Sequence, residues 1–145
     1  MLNERGRKRL AVEHCRLLSA GDVDGLLELY AEEVRFEDPV GWEPQFGRDA
    51  LRAHFKEAVA GNIQETPGEP VAGQDDAHVL IPVTSLMDYL PQGPDFVERG
   101  WLIAPENPEG KRIKREYMLM IRTDSAGLIT EVRAFWGRSD LEVVA

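Results

Sequence analysis

Cysteine is almost absent from this sequence, and so are long apolar runs. The 145 residues include one cysteine, Cys15, so no disulfide can form within the chain, and a reducing cytoplasm is the expected compartment. No apolar run approaches the roughly 18 residues that a membrane span requires. No continuous apolar segment follows the basic residues 5–9, so the start does not resemble a signal peptide. We therefore expect a cytoplasmic protein without a membrane partner.

Positive charge is also scarce. Seventeen Lys and Arg residues stand against 26 Asp and Glu residues, which gives a formal net charge of −9 at pH 7. A chain with this charge repels phosphate backbones, so we expect no nucleic-acid partner. The sequence lacks a glycine-rich phosphate loop, a Gly-x-Ser-x-Gly elbow and a Cys–His signature. His14, His54 and His78 lack the close spacing of a metal site, so neither nucleophilic catalysis nor a metal site is expected.

The order of the predicted elements is helices first and strands afterwards. With 43% hydrophobic and 30% charged residues, the composition fits one globular domain, residues 1–145. Apolar spacing predicts two short N-terminal helices, the second capped by Asp22 with Tyr30 on its apolar stripe. A third helix is predicted at residues 47–60. The predicted strands are residues 34–38, 79–89, 96–103, 113–122 and 128–136, with a hairpin turn at 124–127.

This order predicts an α+β fold. We expect a cone-shaped, curved antiparallel β-sheet wrapped around the N-terminal helices, with an internal apolar cavity that can hold a ligand. In residues 113–121 the alternation of apolar and charged residues stops halfway. That change predicts that both faces of this strand become buried, one by the cavity and the other by a helix or a partner subunit.

Two carboxyl groups are predicted to point into the cavity. Val34 and Phe36 are apolar, and Asp38 shares their parity in the first strand, so its side chain faces the apolar interior. Glu65 shares the parity of Ile63 in the same way. Burial disfavours the charged form, so we expect a raised pKa for Asp38, which suits acid or base chemistry near neutral pH. Two alternatives stay open: Asp38 caps the turn that follows it, and Glu65 lies in a solvated loop.

Other side chains are expected to form the walls of the cavity. His14 lies on the apolar stripe of the first helix, where a histidine is more often a core residue than a catalyst. His54 and Glu57, three residues apart on a helix, are expected to form a surface salt bridge. Methionine among these residues suits a flexible substrate. The candidate substrate-binding residues are His14, Phe36, Trp42, Phe55, Met87, Tyr89, Trp101, Tyr117, Leu119 and Trp136.

Two stretches of the sequence resemble the bacterial ketosteroid isomerases of the nuclear transport factor 2-like superfamily. They are residues 30–48, which contain YAEE, FEDPVG and GR, and residues 134–141, AFWGRSDL. In that family the aspartate at the position of Asp38 is the base that moves a proton. The tyrosine and aspartate of its oxyanion hole fall on His14 and Leu119. Leucine cannot donate a hydrogen bond to a dienolate, which argues against steroid isomerisation.

Three further stretches resemble a different branch of this superfamily, the epoxide hydrolase/cyclases of polyether ionophore biosynthesis, of the monensin and lasalocid type. They are residues 69–75 (EPVAGQD), 87–94 (MDYLPQGP) and 98–102 (ERGWL). The match places the Asp/Glu pair of that family on Asp38 and Glu65. It implies an enzyme that opens an epoxide of a large apolar polyketide by attack of an internal hydroxyl, without a metal ion or an organic cofactor. The alternation in the first strand predicts that Asp38 is the more buried of the two carboxyl groups. Because burial favours the protonated form, we expect Asp38 to be the acid and Glu65 the base.

Three alternative functions remain open at this point. An isomerase-type proton shuttle would use Asp38 as the base and would not need Glu65. A pyran-forming cyclase would act on an unsaturated carbonyl compound by oxa-conjugate addition in the same cavity. A non-catalytic binding subunit would activate a catalytic homologue. The fold class also implies a homodimer formed sheet to sheet, or a pair with a homologous cyclase.

Overall fold

The computed structural model describes residues 1–145. The chain forms four helices, of which α1 and α3 pack against a curved sheet: α1 (Glu4–Ser19), α2 (Val23–Leu27), α3 (Arg48–Ala60) and α4 (Gly93–Glu98). The sheet has eight strands, and a short 3-10 turn (Arg138–Asp140) precedes the last. The strands are β1 (Tyr30–Glu37), β2 (Gln45–Phe46), β3 (Gln64–Pro67), β4 (Val71–Ala72), β5 (His78–Asp88), β6 (Arg112–Thr123), β7 (Ile129–Phe135) and β8 (Leu141–Val144).

The sheet is open and mostly antiparallel. Its strand order is β2-β1-β7-β6-β5-β3, with β4 also beside β5 and β8 beside β6. β1 and β7 form a parallel pair, whereas the other pairs are antiparallel. The predicted α+β architecture is confirmed. One core cluster of 27 buried residues runs from α1 to β8 between the helices and the sheet. No helix combines the length and the apolar character needed to cross a bilayer.

The turn between α1 and α2 follows the prediction, but the end of α2 does not. Gly21 adopts a left-handed φ of +73°, which favours glycine at a helix end. Asp22 caps α2, because its Oδ1 accepts a hydrogen bond from Gly25 N at 2.9 Å. Tyr30 does not continue this helix. It begins β1, where it pairs with Ile129 of β7 and is fully buried. Strand pairing here overrides the helical spacing.

Residues 96–103 are not a strand, which corrects the prediction. Gly93–Glu98 form α4, with Pro94 in the first turn, where a helix loses no hydrogen bond by the missing N–H. Both edges of β5 are already occupied, one by β6 and the other by β3 and β4. No edge is left beside it for another strand. Phe96 packs instead against Trp101 and Trp136, with ring centroids 5.7 and 5.9 Å apart.

β6 alternates between buried and more exposed residues along its whole length. Arg115, Tyr117 and Leu119 face the core, while Met118 on the outer face is 39% exposed. Met118 and Met120 are apolar although they lie on the outer face, and for this reason the sequence pattern indicated a strand buried on both sides. No helix of this chain covers that outer face, so the expected helical cover is wrong. Cover by a partner subunit stays a prediction.

Candidate active site

A cavity opens between the helices and the inner face of the sheet. Its internal volume is about 120 Å³. Apolar side chains dominate its walls. Nine of the ten predicted substrate-binding residues line it: His14, Phe36, Trp42, Phe55, Met87, Trp101, Tyr117, Leu119 and Trp136.

Tyr89 is the exception among the predicted lining residues. It is buried, but it is absent from the cavity wall and packs beside Gly93 at the start of α4. A Cβ atom built on Gly93 would lie 2.3 Å from the Tyr89 ring, so this contact requires glycine. Tyr89 therefore holds α4 against the end of β5 and does not line the cavity.

Asp38 lies at the end of β1 and lines the cavity, as its parity with Val34 and Phe36 predicted. Its two oxygens accept different hydrogen bonds. His54 Nε2 donates to Oδ2 at 2.9 Å, and Trp136 Nε1 donates to Oδ1 at 2.7 Å. The Arg115 guanidinium also lies 3.5 Å from Oδ1. The carboxylate of Asp38 thus faces three donors.

These donors reverse the pKa shift that was expected for Asp38. Burial alone raises the pKa of this carboxyl, because the charged form loses its hydration. The positive charge of Arg115 and the hydrogen bonds from His54 and Trp136 outweigh burial, and together they hold the pKa of Asp38 well below its usual range. The expected raised pKa was therefore wrong. Asp38 is a carboxylate near neutral pH.

Glu65 lies on β3, not in the solvated loop of the alternative interpretation, and its side chain is buried in the cavity wall. Its backbone N–H donates to Ser19 Oγ at 2.8 Å, which fixes β3 to the end of α1. Tyr117 Oη donates to Oε2, whereas the buried Oε1 has no hydrogen-bond partner. Burial raises the pKa of Glu65, and the nearby charge of Asp38 adds to this, while Tyr117 and Arg115 partly oppose it. The neutral acid is thereby favoured.

Arg115 lies beside both carboxyl groups. The register of the sheet places Glu65, Ser85 and Arg115 opposite one another on β3, β5 and β6. Arg115 Nε donates to Ser85 Oγ at 3.3 Å, and the guanidinium carbon lies 4.4 Å from the centroid of the Tyr117 ring. Sequence reasoning missed this residue. The signal was present, since Arg115 shares the core-facing parity of Tyr117 and Leu119.

Of the two histidines of the cavity, His54 has a different partner from the one expected, and His14 is a buried residue of the core. His54 does not pair with Glu57, which corrects the prediction of a surface salt bridge. It hydrogen-bonds Asp38 instead, while Glu57 Oε2 accepts a hydrogen bond from Gln92 Nε2 at 3.3 Å. His14 is buried with Nε2 against Tyr30 Oη, and its Nδ1 has no partner. Burial, together with the charge of His54, lowers the pKa of His14 to about 4, so its ring is neutral at pH 7.

The cavity therefore holds two carboxyl groups with opposite pKa shifts. A carboxylate can accept a proton from a substrate, and a buried carboxyl group with a raised pKa can donate one. Both groups face the same mostly apolar space. This arrangement suits a reaction in which one substrate atom loses a proton while another gains one. No group of three or more His, Cys, Asp or Glu side chains is arranged to bind a metal ion.

The chain is similar in sequence to proteins of known family. Residues 11–132 match the SnoaL-like domain. The chain is 46% identical over 144 residues to epoxide hydrolase LasB of Streptomyces lasalocidi, with 98% of this chain and 51% of that protein covered. It thus spans about half the length of this relative.

Solved structures show the same relationship. SalBIII, described as an epoxide hydrolase/cyclase-like enzyme with a role in pyran ring formation in the polyether salinomycin, superposes with a TM-score of 0.83 at 29% identity. That match covers 99% of this chain and 100% of SalBIII. RV0760c of Mycobacterium tuberculosis superposes with a TM-score of 0.77 at 18% identity, over 99% of this chain and 100% of that one. At this identity the second match shows a common fold alone.

Proposed function

The chain belongs to the SnoaL-like domain family, and from that premise we propose that it is an epoxide hydrolase/cyclase that forms a cyclic ether in polyether biosynthesis. The similarity to LasB and SalBIII supports the epoxide and polyether parts of this proposal. The observation that carries it is the pair of carboxyl groups, Asp38 and Glu65, whose pKa values shift in opposite directions within one apolar cavity.

Glu65 acts as the general acid. An epoxide opens slowly near neutral pH unless its oxygen receives a proton as the C–O bond breaks. Burial raises the pKa of Glu65, which favours its protonated form, and the buried Oε1 has no hydrogen-bond partner. This atom is suited to donate the proton to the epoxide oxygen. The assignment reverses the one expected from the sequence, in which Asp38 was the acid.

Asp38 acts as the general base. Its carboxylate takes the proton of the substrate hydroxyl as that oxygen forms a bond to an epoxide carbon. The bond from this carbon to the epoxide oxygen breaks, and the oxygen keeps the proton of Glu65. A proton passes from Asp38 to Glu65 through solvent to complete the cycle. Each proton transfer contributes a factor of about 10²–10⁴ in rate, and a cavity that folds the substrate chain adds several kcal/mol through positioning.

The test is a product analysis with an oxygen label. The purified protein is incubated with a hydroxy-bisepoxide of polyketide type in ¹⁸O-water, and the products are compared with a protein-free control by mass spectrometry and NMR. An unlabelled cyclic ether is the expected product. A labelled diol would mean that water is the nucleophile and that no ring is formed. No product above the control would contradict the proposal as a whole.

Substitution of the carboxyl groups completes this test. Asp38→Asn and Glu65→Gln remove the base and the acid while keeping similar shapes, so each variant is expected to lose about 10²–10⁴ in kcat. Glu116→Gln is the matched control, because Glu116 is exposed on the outer face of β6. Full activity of Glu65→Gln would favour a proton shuttle by Asp38 alone.

A second candidate is pyran formation on an unsaturated carbonyl substrate by oxa-conjugate addition. The description of SalBIII, with its role in pyran ring formation, favours this candidate. The same base would take the hydroxyl proton, and Glu65 would protonate the enolate that results. Parallel incubation with a hydroxy-enone distinguishes the two, because only this reaction consumes the enone absorbance.

We also propose that the chain forms a homodimer through the outer face of its sheet. We propose in addition that it acts in the cytoplasm. Leu80, Met118 and Phe135 are 41%, 39% and 42% exposed, and such apolar side chains favour association when they form a patch. The buried, unpaired thiol of Cys15 is consistent with a reducing compartment. Sedimentation equilibrium of the wild type and of Met118→Lys is the test, and a wild-type monomer would contradict the dimer.

A further inference from the structure

An exposed cation of the cavity wall lies against two tryptophan rings. Arg99 follows α4, and its guanidinium carbon is 5.1 Å from the centroid of Trp42 and 5.0 Å from that of Trp101. The two rings meet edge to face, with centroids 5.1 Å apart. Cation–π contacts of this kind fix the position of a guanidinium without using its N–H groups as hydrogen-bond donors. Arg99 is thus held in place at the rim.

The charge of Arg99 is not neutralised by this chain. Its side chain makes no hydrogen bond and no ion pair, whereas Arg115, the other Lys or Arg residue of the cavity wall, lies against Asp38. Two acidic residues also belong to the wall near the mouth, Asp95 on α4 and Glu57 on α3, and neither pairs with Arg99. All five N–H donors of the guanidinium are free for a ligand.

Aromatic rings line the cavity wall between Arg99 and Asp38, the proposed base. Trp101 and Trp136 stand edge to face with centroids 5.4 Å apart, and Trp136 Nε1 donates to Asp38 at 2.7 Å. A substrate chain that lies along these rings would have one end at Arg99 and its reacting atoms at Asp38. The distance between its end group and its hydroxyl would then be fixed by the protein.

We propose that Arg99 binds a carboxylate at the end of the substrate, so that the preferred substrate is a free hydroxy-epoxy carboxylic acid. This inference rests on the proposed function and adds the chemical class of the substrate. A guanidinium presents paired N–H groups that match the two oxygens of a carboxylate. An anion is otherwise repelled by a chain with a net charge of −9, so its binding needs a dedicated cation. A neutral ester gains nothing from this contact.

The test compares a hydroxy-epoxy acid with its methyl ester, using the wild type and Arg99→Gln. We expect the wild type to prefer the acid, and Arg99→Gln to raise KM for the acid by about tenfold or more. The KM for the ester, the value of kcat and the pH profile should not change. Arg99→Lys should restore only part of the preference, because an ammonium cannot bind both oxygens in a fork. Arg122→Gln, on the outer face of β6, is the matched control.

Binding measurements separate this inference from the proposed function. The affinities of the acid and the ester are measured by tryptophan fluorescence, since Trp42 and Trp101 flank the site. A preference for the acid that Arg99→Gln abolishes supports the inference even if the wild type turns over neither compound, a result that would sink the proposed function alone. Equal affinity of the wild type for acid and ester overturns the inference, and so does an equal loss of both in Arg99→Gln.

Discussion

Replacing Arg115 by methionine should change the acidic side of the pH profile. The guanidinium lies 3.5 Å from Asp38 Oδ1, and at an effective dielectric constant of about 20 two charges at this distance attract by roughly 5 kcal/mol. Solvent relaxation reduces this value, and the hydrogen bonds from His54 and Trp136 remain. An opposite charge at this range lowers a carboxyl pKa by about 1–3 units. We therefore expect the pKa of Asp38 to rise by about 1–3 units in Arg115→Met.

The assay is the pH dependence of kcat/KM for ring closure. In the wild type the pKa of Asp38 lies well below its usual range, so the base stays charged down to acidic pH. In Arg115→Met the base is protonated as the pH falls through its raised pKa, and kcat/KM should fall with it. The expected result is an acidic limb that appears at higher pH than in the wild type, while the rate at neutral pH is retained.

Arg122→Met is the control, because Arg122 lies on the outer face of the same strand and forms no ion pair. Near-UV circular dichroism confirms that both variants are folded. A loss of activity in Arg115→Met that is the same at every pH would refute the reasoning. Arg115 would then act by packing or by substrate contact, and not through the charge of Asp38.

Three further outcomes follow from the same contacts. Tyr117→Phe removes the hydrogen bond that favours charged Glu65, so the pKa of Glu65 should rise further and the alkaline limb of kcat/KM should move to higher pH by about 1 unit or more. Glu65→Gln should raise Tm at pH 8 but not at pH 4, because a raised pKa costs stability only as the pH rises through it. Asp38→Asn leaves Arg115 buried without its carboxylate, and calorimetry at pH 7 should show a loss of about 3–5 kcal/mol.

The positions of the two carboxyl groups were predictable from the sequence, but their protonation was not. Alternation along a strand fixes which side chains share a face, and this placed Asp38 and Glu65 in the cavity. A pKa depends on partners that are distant in sequence. Arg115 approaches Asp38 only because β6 and β1 belong to one sheet with β7 between them. No local pattern around Asp38 contains that contact.

Errors of the sequence analysis have a common physical origin. Tyr30, His54 and residues 96–103 were each assigned from spacing within a short window. Their structures were decided by pairing across the fold: Tyr30 by β7, His54 by Asp38, and residues 96–103 by the lack of a free strand edge. Local periodicity predicts well where one element meets the core, and it fails where a distant element competes for the same residue.

Glu65, Ser85 and Arg115 occupy paired positions on three neighbouring strands, so the acid and the cation both belong to the sheet. The mouth of the cavity, in contrast, belongs to segments outside the strands. The distance between acid and cation is fixed by backbone hydrogen bonds of the sheet, which tolerate little change. The mouth is built from the segment after β1, with Trp42, and from the segment after α4, with Arg99. Neither segment belongs to a strand of the sheet, although the first begins with Asp38. Changes in these segments that keep Asp38 in place can therefore alter substrate preference without moving Glu65 relative to Arg115.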